Sequence, residues 1–110
     1  MASYLVQASY TSEAFAALVR KPQDRASVVR AAAKKLGGSV SGLWGSFGEQ
    51  DIVIILEMPD TESAAAMMMA VNASGALKSS KITPLYSTEE GMAAAKKAQS
   101  SGYKPPTKKK

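Results

Sequence analysis

The chain has no cysteine and no histidine among its 110 residues. The first absence excludes disulfides, thiolate nucleophiles and cysteine-based metal sites. The second removes the commonest acid/base side chain and the commonest metal ligand. No cofactor and no metal are therefore expected. Long apolar runs are also missing: the strongest, residues 52–56 and 64–71, fall far short of the ~20 residues that cross a bilayer. Met1-Ala2-Ser3-Tyr4 does not lead from a basic stretch into an apolar one, so no secretory signal is read and a cytoplasmic location is the expectation.

What is present fits one globular domain: 45% apolar and 21% charged residues in a length that supports a single core. The net charge of +5 is unevenly placed. Beyond Glu90 there is no acidic residue, while Lys96, Lys97, Lys104, Lys108, Lys109 and Lys110 follow. Residues 1–95 carry eight basic and nine acidic side chains, which leaves −1. The division expected is a near-neutral domain over residues 1–95 and a flexible lysine-rich tail over 96–110. Residues 100–110 have too little apolar surface to offset the entropy of ordering.

Hydrophobic periodicity gives the order strand, helix, strand, strand, helix, strand. Tyr4, Val6, Ala8 and Tyr10 alternate on a first strand. Thr11 or Ser12 caps a helix expected to bury Phe15, Leu18 and Val19, and Pro22 interrupts it. A second segment with Ala26, Val29, Ala33 and Leu36 on its inner side ends at Gly37-Gly38. Residues 39–47 read as a weaker strand with bulges at Gly42 and Gly45, and residues 51–58 as a strong one. Asp60 starts a helix whose apolar run, 64–71, is too apolar all round for a surface helix, with Met67, Met68 and Met69 as core packing. A strand over 77–86, with Pro84 tolerated only at an edge or bulge, and a short helix from Thr88 to about Gln99 complete the chain.

This is the order of a split βαβ, ferredoxin-like α+β domain, a four-stranded antiparallel sheet with helices on one face. Such a sheet leaves one face open. On the strongest strand Ile52, Ile54, Leu56 and Met58 point to one side, and Val53 and Ile55 to the other. Each buried side chain of this kind contributes roughly 1.5–3 kcal/mol, so an open face bearing them calls for a cover. A second copy of the sheet is the economical one, giving a homodimer with a barrel-like interior.

Tyr10-Thr11, Pro22-x-x-Arg25, Leu36-Gly37-Gly38, Gly48-x-x-Asp51, Glu57-x-Pro59-Asp60 and Gly75 occur in this order. Together they resemble the GYD domain family of small bacterial proteins, over roughly residues 3–90. The resemblance implies a dimeric α+β barrel and no particular chemistry. The Gly-x-Tyr-Asp signature that names the family has Gln50 at its tyrosine position here. Related dimeric barrels include cofactor-independent oxygenases and small-molecule binding proteins, a likeness of fold alone.

The candidate site residues are few, and each has a structural alternative. Asp51, entering the central strand, is a candidate base or ligand group, or else an acceptor for turn N–H groups. Glu57 lies on the Val53/Ile55 side, where apolar surroundings would raise its pKa as in acid/base catalysts. Alternatively it reaches the strand end or pairs with Arg25 or Arg30. Arg25 is a candidate anion-binding group, or a helix-surface ion pair. Trp44 and Tyr86, with Phe47 and Tyr4, are candidates to line a pocket, or core and interface anchors.

Three readings follow. One is a homo-oligomeric module enclosing a small apolar ligand between sheet and helices or between protomers. Another is a cofactor-independent enzyme with Glu57 or Asp51 as base and Trp44 and Tyr86 shaping the pocket. The third is an interaction protein whose tail, through Lys104, Lys108, Lys109 and Lys110, meets nucleic acid, an acidic partner or a membrane surface.

Overall fold

The computed structural model describes residues 1–107. Lys108, Lys109 and Lys110, part of the expected tail, lie outside the described residues. The elements are β1 (Ala2–Tyr10), α1 (Ser12–Arg20), α2 (Arg25–Lys35), β2 (Ser39–Gly45), β3 (Ile52–Met58), α3 (Thr61–Ala73), β4 (Leu77–Leu85) and α4 (Thr88–Gln99). The strands form one sheet in the order β2-β3-β1-β4 with every neighbouring pair antiparallel. This is the ferredoxin-like α+β arrangement that the sequence order predicts.

Local chemistry places the breaks. The Thr11 hydroxyl accepts from the Ala14 N–H at 3.1 Å and starts α1. Pro22 separates α1 from α2, whose cap Asp24 accepts from the Ala26 N–H at 3.0 Å. Gly37 ends α2 with φ +84°, a left-handed conformation open to glycine. Gly38 is needed for another reason: a Cβ there would overlap the Glu57 carbonyl oxygen and the Met58 sulfur. Asp60 caps α3 through the Ser63 N–H at 2.8 Å, a bond that lowers its pKa.

The core lies between the sheet and α2 and α3. Val6 and Ala8 of β1, Ile52, Ile54, Leu56 and Met58 of β3, and Val40 of β2 meet Ala33, Ala64 and Met67 from the helices. Leu56 and Met58 are completely enclosed. In β2 the register shifts between Val40 and Gly42. The extra residue, Ser41, makes a bulge one position before Gly42, where one of two was expected; Gly45, expected to bulge as well, pairs in register with Ile52. Pro84 sits in β4, an edge strand, as its missing N–H requires.

Two burial expectations are corrected. In α1 no residue is buried; Phe15 and Val19 are exposed and Leu18 is only partly covered. This helix lies beside β1 and touches it chiefly through the Tyr10 and Phe15 rings, 5.9 Å apart. The apolar run of α3 is not buried all round either: Ala64 and Met67 face the core, Met68 is half-buried, and Met69 is 70% exposed. A helix in a two-layer fold has only one side to bury.

Past β4 the chain leaves the body. A Ser87/Glu90 capping box opens α4, and Tyr86 lies against Gly91. Apart from that contact α4 stands off the sheet and the other helices. The radius of gyration is accordingly 18.0 Å, with extents of 63 × 31 × 22 Å, against about 13 Å for a compact chain of about 100 residues. No helix among the described residues is long and apolar enough to cross a membrane.

Candidate functional site

The helices α2 and α3 do not close over the middle of the sheet. The residues between them are small, Ala32 on α2, Ala70 on α3 and Ala76 before β4, and they leave a cavity of about 270 Å³. Its floor is the helix-facing row of the central strands, including Val6, Ala8, Ile52 and Ile54. Val29 of α2 and Met67, Met68 and Val71 of α3 form the walls. Nearly all of the lining is hydrocarbon. Its polar side chains are Tyr10, Ser74 and Arg25, and the Ser74 hydroxyl is already engaged, donating to the Val71 carbonyl at 2.7 Å and accepting from the Ala76 N–H at 3.2 Å. A second hollow of about 200 Å³ opens beside α1, between Ala14, Ala17, Leu18 and Gln23, and shares Arg25 and Ala76 with the first.

Of the candidate site residues Asp51, Glu57, Arg25, Trp44 and Tyr86, only Arg25 lines these cavities. Asp51 uses its carboxylate to accept the Tyr10 backbone N–H at 3.0 Å, while its own N–H donates to the Ala8 carbonyl and its carbonyl accepts from the Ser46 N–H, both at 2.9 Å. It fastens the β2–β3 turn to β1. The N–H it accepts belongs to β1, across the sheet, instead of to the turn itself.

Glu57 is on the opposite, open face, with Val53 and Ile55 as expected. Its setting is not the apolar one anticipated. The Ser3 hydroxyl donates to one carboxylate oxygen at 2.6 Å and the Ser41 hydroxyl to the other at 2.8 Å. These two bonds, the Ser3 bond first, hold its pKa below the ordinary glutamate value. The expected upward shift is thus reversed, because hydrogen bonds to the charged form outweigh desolvation. Neither arginine proposed as its partner reaches it: Arg30 Nη1 donates to the Val40 carbonyl at 2.9 Å, and Arg25 Nη1 to Gln23 Oε1 at 2.8 Å.

Trp44 is also on the open face, opposite Val53, with its indole laid over Gly42 and 57% exposed. Tyr86 is in the link to α4 and is 76% exposed. A pocket with Glu57 or Asp51 as base and Trp44 and Tyr86 as walls is therefore not assembled within one chain. Gln50, at the signature's tyrosine position, accepts a 3.2 Å hydrogen bond from Ser9 at the far end of the open face. Among the described residues no group of acidic side chains is arranged to hold a metal ion.

Sequence reasoning anticipated a space for an apolar ligand but not the residues that line it, Arg25 excepted. The signal for the cavity is the excess of small and flexible apolar residues in α3 beyond what one buried helix side needs. Alternation and helical periodicity report which way residues point. They do not report whether facing residues are large enough to meet.

Solved structures share this architecture at low identity. FFRP-DM1 is 10% identical, with a TM-score of 0.50 over 78% of this chain and 100% of that one. TTHA0845 from Thermus thermophilus is 14% identical, with a TM-score of 0.52 over 79% of this chain and 95% of that one. MtbAldR is 14% identical, with a TM-score of 0.54 over 78% of this chain but only 52% of its own length. At such identities the likeness is one of fold. No curated protein matches the sequence. The GYD domain, however, matches residues 4–95, the whole sheet, its three packed helices and the first turns of α4, and the chain belongs to that family.

Proposed function

We propose that this GYD-domain protein is a homodimeric module that binds a small apolar ligand between its sheet and its helices. The cavity carries the reading. A lining that is almost wholly hydrocarbon, open to solvent between two helices, favours an apolar guest over water, which needs two to four polar partners.

The dimer is supported by the other side of the sheet. Leu5, Val53, Ile55, Trp44 and Leu85 share that face with Gln7 and Lys81, and no helix of the same chain lies over it. An uncovered, largely apolar surface of this kind suits an interaction, and a second copy of the same face is self-complementary about a twofold axis.

The test of ligand binding is titration of an environment-sensitive apolar dye into the intact protein and into Val71→Trp, whose indole would occupy the cavity. Saturable uptake of one dye per chain, lost in a variant with an unchanged melting midpoint, is expected. Uptake that does not saturate, or that the variant leaves intact, would overturn the cavity reading.

A further inference from the structure

We propose that the ligand is a small amphipathic monocarboxylate, with its hydrocarbon part in the cavity and its carboxylate on Arg25. The proposal rests on the apolar-ligand reading above and adds the chemical class of the head group.

Among the described residues Arg25 is the sole charged side chain lining the cavity, and it lines the adjoining hollow as well. Arg25 thus borders both spaces. It is half-buried at the start of α2, and its described hydrogen bond, to the neutral Gln23 amide oxygen, uses one of five N–H donors. No carboxylate among the described residues lines either space to neutralise it. The nearest in sequence, Asp24, is committed to capping α2 through the Ala26 N–H.

The head group follows from what the rim offers. A planar guanidinium matches a carboxylate with two parallel N–H···O bonds. A single arginine suits one negative charge, whereas a phosphate dianion would be left half-neutralised. A hydroxyl head would gain less: the Ser74 hydroxyl is spent within its own turn, and Tyr10 offers only a neutral partner, whereas a carboxylate makes charge-assisted bonds to Arg25. Size sets the tail: at ~30 Å³ per water-sized unit, 270 Å³ accommodates a guest of roughly nine non-hydrogen atoms. Octanoate is of this size when its carboxylate sits at the rim.

The test is calorimetric titration of the full chain with octanoate, 1-octanol and octylamine at neutral pH. Octanoate is expected to bind most tightly and octylamine least. Arg25→Gln should weaken octanoate about ten- to hundredfold and leave octanol unchanged, and Arg25→Lys should retain part of the preference. Raising the salt should weaken octanoate alone, a readout on the unaltered protein should the Gln variant fold poorly. Equal affinity for octanoate and octanol, or an Arg25→Gln variant that keeps octanoate, would overturn the head-group assignment while leaving the apolar cavity standing. Binding of neither would overturn both.

Discussion

The helix-covered and open faces of the sheet differ in how their apolar residues are treated, although the same strands supply both. On the covered face Ile52, Ile54, Leu56 and Met58 are all buried, and a cavity remains above the first three. On the open face Val53 and Ile55 are half-buried, Trp44 folds back over Gly42, and the ends of the row are polar: Ser3, Ser41 and Glu57 at one end, Ser9 and Gln50 at the other. The covered face achieves burial within one chain at the cost of a gap. The open face has satisfied polar ends and an uncovered middle in which Leu5, Val53 and Ile55 lie beside Gln7 and Lys81. The space proposed for a ligand and the surface proposed for a partner thus lie on opposite sides of one layer.

The contrast can be broken most strongly from the covered side. Leu56→Ala should destabilise the chain by about 2–5 kcal/mol, as for deletion of a fully buried leucine, whereas Ile55→Ala should cost roughly 1 kcal/mol at concentrations where the chain is monomeric. Urea denaturation of both variants would decide it, and equal losses would show that the open face is covered within the chain. The next effect is on assembly. Ile55→Asp should halve the mass measured by light scattering at micromolar concentration, because an unpaired carboxylate would be carried into the joint between the sheets. A parent protein that is already monomeric under those conditions would remove the dimer from the proposal.

The smallest effect concerns the polar end of the open face. Because the folded-state pKa of Glu57 is lowered, its contribution to stability is complete above the ordinary glutamate range and is lost as pH falls through the lowered value. Glu57→Gln should therefore cost about 0.5–1.5 kcal/mol near neutrality and converge with the parent in acid. Parallel stability curves for the two proteins from about pH 7 to about pH 3 would contradict that account.

The architecture was legible because its signals are local. Period-two alternation in β1 and β3, the Thr11 and Asp60 caps, and the glycines after α2 each act within a few residues. The site was less legible because it depends on distance across the fold. Glu57 looks as if it lies in apolar surroundings when only Val53 and Ile55 are considered. Its partners Ser3 and Ser41 arrive from two other strands, and Ser41 reaches it only through the β2 bulge. Likewise, nothing near Arg25 in sequence announces that Ala32, Ala70 and Ala76 will leave a space beside it. The Phe15 and Val19 expectation failed for a related reason: helical periodicity marks a side that seeks cover, and cover depends on how closely a nine-residue helix approaches the sheet.

The bulge in β2 and Pro84 in β4 occupy the two outer strands of the sheet. One interrupts the ladder that a neighbouring strand would need, and the other withholds a donor; Lys78 and Lys81 add exposed charge along β4. Lateral growth, strand added to strand, is thus discouraged at both margins. Open-ended fibres are disfavoured there, whereas the stacking proposed above closes once two sheets have met.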